Sequence, residues 1–147
     1  MEQLMTGPAN TRFALTVHVL TLVADNDPTP VCSEMAAGSA GTNPVHVRRV
    51  MSNLRRAGIV ESHAGAGGGW TLARPAKQIS LADVWDAVYG DESIVTLHPE
   101  PNPACRVGEH IGAVLADLSA RATQAARSEL ATVTLADVLA RTVTAPG

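Results

Sequence analysis

"TNPVHVRRVMSNLRRAGIV", residues 42–60, reads as a single basic helix with both of its ends encoded. Thr42 or Asn43 can cap it, Pro44 suits the first helical turn, and Gly58 terminates it. Val47, Val50, Met51 and Leu54 fall at i, i+3, i+4 and i+7, an apolar stripe that must face a core. His46, Arg48, Arg49, Asn53 and Arg56 lie off that stripe. The face turned away from the core is therefore polar and basic.

Upstream, "CSEMAAGSA" (32–40) predicts a short helix capped by Cys32 or Ser33 and ended around Gly38–Gly41. Before it, "NTRFALTVHVLTLVA" (10–24) places Phe13, Val17, Leu20 and Ala24 at helical spacing, with Asn10 or Thr11 as N-cap. The two prolines of "DNDPTP" break that helix. A short helix, a tight turn and a longer basic helix in series are the order of a helix-turn-helix unit, whose second helix enters the DNA major groove.

Downstream, "HAGAGGGW" (63–70) holds four glycines, and each costs backbone entropy on folding. A phosphate-cradling loop needs a Gly-Lys-Ser/Thr ending and a helix directly after it, and a dinucleotide turn also needs that helix. Neither is present. The glycines instead join two β-prone runs, "IVESHA" and "WTLAR", which predicts a hairpin with glycine at its tip.

"KQISLADVWDAVYG" (77–90) opens another helix, with Ser80 and Asp83 in a capping-box pattern and Leu81, Val84, Trp85 and Val88 on its apolar face. Residues 91–104, with Pro99, Pro101 and Pro103, are a loop. From Cys105 to Leu130 a long helix carries Ile111, Leu115, Leu118, Ala122 and Ala125 at coiled-coil spacing, a thin seam suited to pairing with its own copy. "TVTLADVLART" then repeats the capping pattern with Thr134 and Asp137. The expected fold is mainly α with a small β-hairpin: a winged helix-turn-helix domain over 1–90, a Pro-rich loop over 91–104, and a dimerisation helix with a C-terminal helix over 105–147.

Charge sharpens the functional reading. The 147-residue chain has a net charge of −3. Yet residues 43–77 carry Arg48, Arg49, Arg55, Arg56, Arg74 and Lys77 against Glu61 alone, a local +5 inside an otherwise acidic molecule. Local charge is what a phosphate backbone feels within a Debye length. No apolar run reaches the length of a membrane span and no signal pattern opens the chain, so the expectation is a cytoplasmic protein without a membrane partner. Two distant cysteines, Cys32 and Cys105, make no stapled framework. No nucleophile–base pair, phosphate loop or paired carboxylates suggest an enzyme. The competing class is a winged-helix protein-interaction module that does not read DNA.

The stretch "LRRAGIVESHAGAGGGWTLARPAKQISLADVWDAVYG" resembles the Rrf-two family of bacterial winged-helix transcriptional regulators, the group with IscR- and NsrR-type members. The leucine-basic-basic-Ala-Gly turn, the GxGGG-aromatic wing, "LARP" and "ISLADV" carry the resemblance, which runs from about residue 10 to 140. It implies a homodimeric regulator, acting as a repressor, on double-stranded DNA with a pseudo-palindromic operator. By position, Asn43, Val45, His46 and Arg48 stand where family members reach base edges or nearby phosphates, with Thr42 beside them at the turn. Arg48 or Arg49 is expected to read a guanine, whose O6 and N7 match an arginine fork. Arg55 is expected on phosphate, and the wing residues His63, Gly67 and Gly68 in or beside the minor groove. Many relatives carry an arginine where Ala64 stands, which leaves His63 as a weaker substitute.

Iron–sulfur members of the family carry three cysteines between the wing helix and the long helix. This chain has Cys105 alone there, so no cluster, no other cofactor and no metal are expected; a set of His98, Cys105, Glu109 and His110 has poor spacing for one. Cys32 and Cys105 both stand near helix N-termini, where thiol pKa falls, which makes them candidate redox-sensing residues. Trp70 and Trp85 are expected to fill the core under the wing, with a small-molecule effector pocket lined by Trp85 and Tyr89 as the alternative.

Overall fold

The computed structural model describes residues 8–90, 92, 98 and 101–144; Pro99, in the middle of the expected loop, lies outside them. Helix α1 (Pro8–Asn26) buries Val19, Leu20 and Val23. It starts ahead of the expected caps at Asn10 and Thr11, because Pro8, with its fixed φ and missing N–H, suits a first helical turn. Two threonines sit inside its buried face without orphaned hydroxyls. Thr16 Oγ1 donates to the Arg12 carbonyl at 2.7 Å and Thr21 Oγ1 to the Val17 carbonyl at 2.6 Å.

Helix α2 (Ser33–Ala40) and helix α3 (Pro44–Arg56) follow at the expected places. Cys32 caps α2, its sulfur accepting the Met35 N–H at 3.4 Å. Gly41 ends α2 in the left-handed region at φ 68, a conformation a side chain would strain, and this reverses the chain into the turn. Asn43 then caps α3, its Oδ1 accepting the His46 N–H at 3.0 Å. Three of the four residues of the predicted stripe, Val47, Met51 and Leu54, are inaccessible to solvent, and Val50 is half-buried against the core.

The wing is an antiparallel pair, β1 (Val60–His63) and β2 (Gly69–Leu72), in the register Val60↔Leu72 through His63↔Gly69. It is tied to the helix-turn-helix by a bridge that periodicity does not reveal. Val31 and Trp70 exchange backbone hydrogen bonds at 3.0 and 2.9 Å. That approach explains one glycine, since a Cβ on Gly69 would stand 2.4 Å from the Val31 carbonyl oxygen.

Helix α4 (Leu81–Tyr89), the long helix α5 (Arg106–Leu130) and helix α6 (Leu135–Val143) complete the chain. Both expected capping boxes form, Ser80 with Asp83 and Thr134 with Asp137. They also join each other. The near-repeats "ISLADV" (79–84) and "VTLADV" (133–138) meet antiparallel, Leu81 N–H donating to the Val133 carbonyl at 2.9 Å and Leu135 N–H to that of Ile79 at 2.8 Å. Leu135 is thereby fully buried among Leu20, Ile79 and Val84 in the one core cluster. The C-terminal helix, grouped by sequence with the dimerisation helix, packs in the same core as the first 90 residues.

Trp85 is not under the wing. It lies edge-on to Phe13 (5.4 Å) and Tyr89 (4.5 Å), where α4 crosses α1, while Trp70 alone packs at the wing. Replacing Leu135 by Ala should cost about 2–5 kcal/mol of stability, as for a truncated core leucine. Urea denaturation would read this as a lower midpoint with an unchanged slope. A loss below roughly 0.5 kcal/mol, the range of ordinary surface substitutions, would mean that α6 is peripheral.

Candidate nucleic-acid interface

The outward face of α3 is built by the helix period. With Val47, Met51 and Leu54 inward, Val45, Arg49, Ser52 and Arg56 point away from the core, and all four are exposed. Val45 is an apolar side chain 59% exposed at the start of the helix. The helix carries no acidic residue of its own, and Arg55 and Arg56 lie in its last turn, where cations oppose the helix dipole favourably.

Around the turn the polar groups are held by one another. His46 Nδ1 lies 3.1 Å from Thr42 Oγ1, so the residue just before the Asn43 cap orients the imidazole. Arg48 Nη2 donates to Glu34 Oε1 on α2 at 3.1 Å. Arg56 donates to Asn53 Oδ1. Arg49 has no carboxylate partner among the described residues, and it lines a cavity of about 320 Å³ between α3 and α1, together with Leu15, His46, Val50 and Asn53.

The fold thus collects Thr42, Asn43, Val45, His46, Arg48 and Arg49 on the turn and the first two turns of α3. Arg55 follows at the far end of the helix. The wing presents His63, Gly67 and Gly68 on its own tip; His63 Nε2 lies 2.8 Å from Thr71 Oγ1 across the hairpin. A Cβ on Gly68 would meet the His63 carbonyl oxygen at 2.2 Å, so the tip requires glycine there. Arg74 belongs to another set, bonding the Gln78 carbonyl and standing 3.5 Å from Asp83. Glu34 carries no sequence signal as part of this surface; it is an ordinary first-turn acid of α2.

Both cysteines are exposed and unpaired, each preceding a helix. At Cys105 the backbone N–H groups of Gly108 and Val107 face the sulfur and hold its thiol below the ordinary range, though too loosely for a formal cap hydrogen bond. A Cβ on Gly108 would meet the Asn102 carbonyl oxygen at 2.1 Å, so "PNPACRVG" packs tightly at the mouth of α5. Trp85 lines a cavity of about 480 Å³ between α4 and α5, with Gln124 and Arg127, whereas Tyr89 is buried. Across that gap Arg127 grips Asp86 bidentately at 2.8 and 2.6 Å, which keeps the Asp86 carboxyl below its usual range.

A two-helix turn unit with a basic second helix and a bridged β-wing is a winged helix-turn-helix. The model of the Rrf2 family, described as an iron-dependent transcriptional regulator, matches residues 9–141. YwnA, an HTH-type transcriptional regulator of Bacillus subtilis, is 38% identical over 130 residues, 88% of this chain and 96% of YwnA. Among solved structures, CymR, the global cysteine regulator of B. subtilis, superposes with a TM-score of 0.66 at 23% identity, over 88% of this chain and 94% of CymR. T. potens IscR does so at 0.69 and 22%, over 98% and 96%; at these identities the two show the fold alone. The chain belongs to the Rrf2 family of transcriptional regulators, and family and relatives are regulators, not enzymes. No helix among the described residues is long and apolar enough to cross a membrane.

An iron–sulfur cluster finds few ligands on this chain. A cluster takes several thiolates, and Cys105 is the one cysteine between α4 and α5. Among the described residues no three His, Cys, Asp or Glu side chains converge on a point, and His110 Nδ1 instead lies 2.9 Å from the Arg106 carbonyl. These residues do not fit an iron–sulfur cluster.

The thiolate is the nucleophile, so a lowered pKa raises its fraction at neutral pH. Cys105 should therefore be alkylated by iodoacetamide at pH 7 faster than a free cysteine peptide, with its rate-against-pH curve shifted to lower pH. Mass spectrometry of the C32S variant would measure it, and a curve matching the peptide's would remove the effect.

Proposed function

We propose that the chain is a homodimeric repressor that lays α3 in the major groove of a pseudo-palindromic operator and the wing beside the minor groove. The observation that supports this most is the outward face of α3, basic and free of acids in a chain whose net charge is −3. Arg48 or Arg49 reads a guanine, Thr42, Asn43, Val45 and His46 meet neighbouring bases or phosphates, and Arg55 meets phosphate. His63, Gly67 and Gly68 bring the wing to the backbone.

The dimer reading rests on α5. Its 25 residues run about 37 Å at the usual helical rise, yet its one buried residue is Ser119. Leu118, in the seam with Ile111, Leu115, Ala122 and Ala125, is 51% exposed, and Val107 and Val114 beside it are 68 and 52% exposed. So much apolar surface on one helix is suited to a two-fold partner. The signal we assign to the thiols. Cys32 caps α2 one residue from the Val31–Trp70 bridge, so its oxidation would act on both the helix-turn-helix and the wing. A small-molecule effector would enter at the cavity that Trp85 lines.

Fluorescence anisotropy with reduced protein, DNA from upstream of its own gene and a scrambled duplex tests the operator reading. Selective binding that weakens steeply with salt is expected, and the Arg48→Ala/Arg49→Ala variant should lose selectivity while staying dimeric. Equal, weak binding to both duplexes would favour a module that docks on protein. Separately, Leu118→Glu should halve the mass seen by light scattering and weaken operator binding at least tenfold, because two half-sites are no longer engaged together. An unchanged mass would move the dimer interface off α5.

A further inference from the structure

We propose that Glu34 is a specificity-determining residue: it holds the Arg48 guanidinium for a base edge and withholds it from phosphate. This rests on the operator reading above. Glu34 stands in the first turn of α2 and Arg48 in the second turn of α3, and their side chains meet at 3.1 Å. The meeting is not a loop accident. The helices that carry them are locked by the Gly41 reversal, the Asn43 cap and the buried residues Ala36, Ala37, Val47 and Met51.

The chemistry separates the two kinds of DNA contact. A guanidinium has five N–H donors, and the bond to Glu34 uses one, leaving enough for the bidentate fork that guanine O6 and N7 require. A base edge rewards direction, which the carboxylate supplies by holding the fork still. A phosphate rewards positive charge, which the carboxylate cancels at this residue, adding its own repulsion. The pair thus weakens binding to arbitrary DNA more than binding to a duplex with guanine in register, and specificity is that difference. Arg49 is the contrast one position along: exposed, with no carboxylate partner among the described residues, it keeps its full charge for general affinity.

The test uses the full-length dimer and a duplex that wild-type protein selects from a randomised library, measured against its scrambled counterpart. Glu34→Gln keeps the shape and removes the charge. It should tighten scrambled binding severalfold, steepen that duplex's log–log salt slope by about 0.9, and lower the selected-to-scrambled affinity ratio by roughly tenfold. In an Arg48→Ala background the same substitution should leave the ratio unmoved. A ratio unchanged by Glu34→Gln, or lowered equally without Arg48, overturns the role of Glu34 while the operator reading stands. A library that yields no preferred duplex overturns the operator reading, and the role of Glu34 with it. Matching thermal midpoints for wild type and Glu34→Gln exclude a folding artefact.

Discussion

The backbone clasp between Ile79–Leu81 and Val133–Leu135 is the constraint on which the rest of the molecule depends. Two hydrogen bonds join two near-identical hexapeptides, each of which also begins a helix with a capping box. One junction therefore satisfies the orphan N–H groups of two helix starts and buries a leucine from each. It also returns the chain, after the long excursion of α5, to the core it left. Leu130 packs against that core and Arg127 grips Asp86, so the end of α5 is held to α4 by an apolar contact and a bidentate ion pair. Helix α4 in turn meets α1 through the rings of Phe13, Trp85 and Tyr89.

A second junction of the same kind serves the other end of the molecule. The Val31–Trp70 bridge ties the wing to the entrance of α2, and Gly69 is the residue that lets the two backbones approach. Helix-turn-helix and wing are consequently joined backbone to backbone. Cys32 is the cap of α2 at that seam, while Cys105 opens α5, so each exposed thiol stands at a helix start. Cys32 thus adjoins the Val31–Trp70 junction, whereas Cys105 stands at the end of α5 away from the clasp.

Charge is distributed with the same economy. The molecule is acidic, yet six of its eleven Lys and Arg side chains fall within residues 43–77, four of them on α3. Neighbouring arginines on that helix differ in kind: Arg48 shares its charge with Glu34 and Arg49 does not. Sequence distance hides this, because Glu34 lies 14 residues away on another helix.

Local chemistry made much of the protein legible from its residues alone. The α3 stripe, the Asn43 cap with Pro44, the glycine-tipped hairpin, both capping boxes and the long helix from Arg106 each follow from side chains within a few positions of one another, and each stands where it was read. Tertiary structure decided what depends on residues far apart. It placed α6 in the core, since an amphipathic nine-residue helix does not say which surface it covers; the "ISLADV" and "VTLADV" repeat was the signal available for that pairing. It moved Trp85 from the wing to Phe13, tied Val31 to Trp70 and set Glu34 against Arg48. Caps and periodicities are written in neighbouring residues, whereas the partner of a buried face or a charge is chosen by how the finished helices cross.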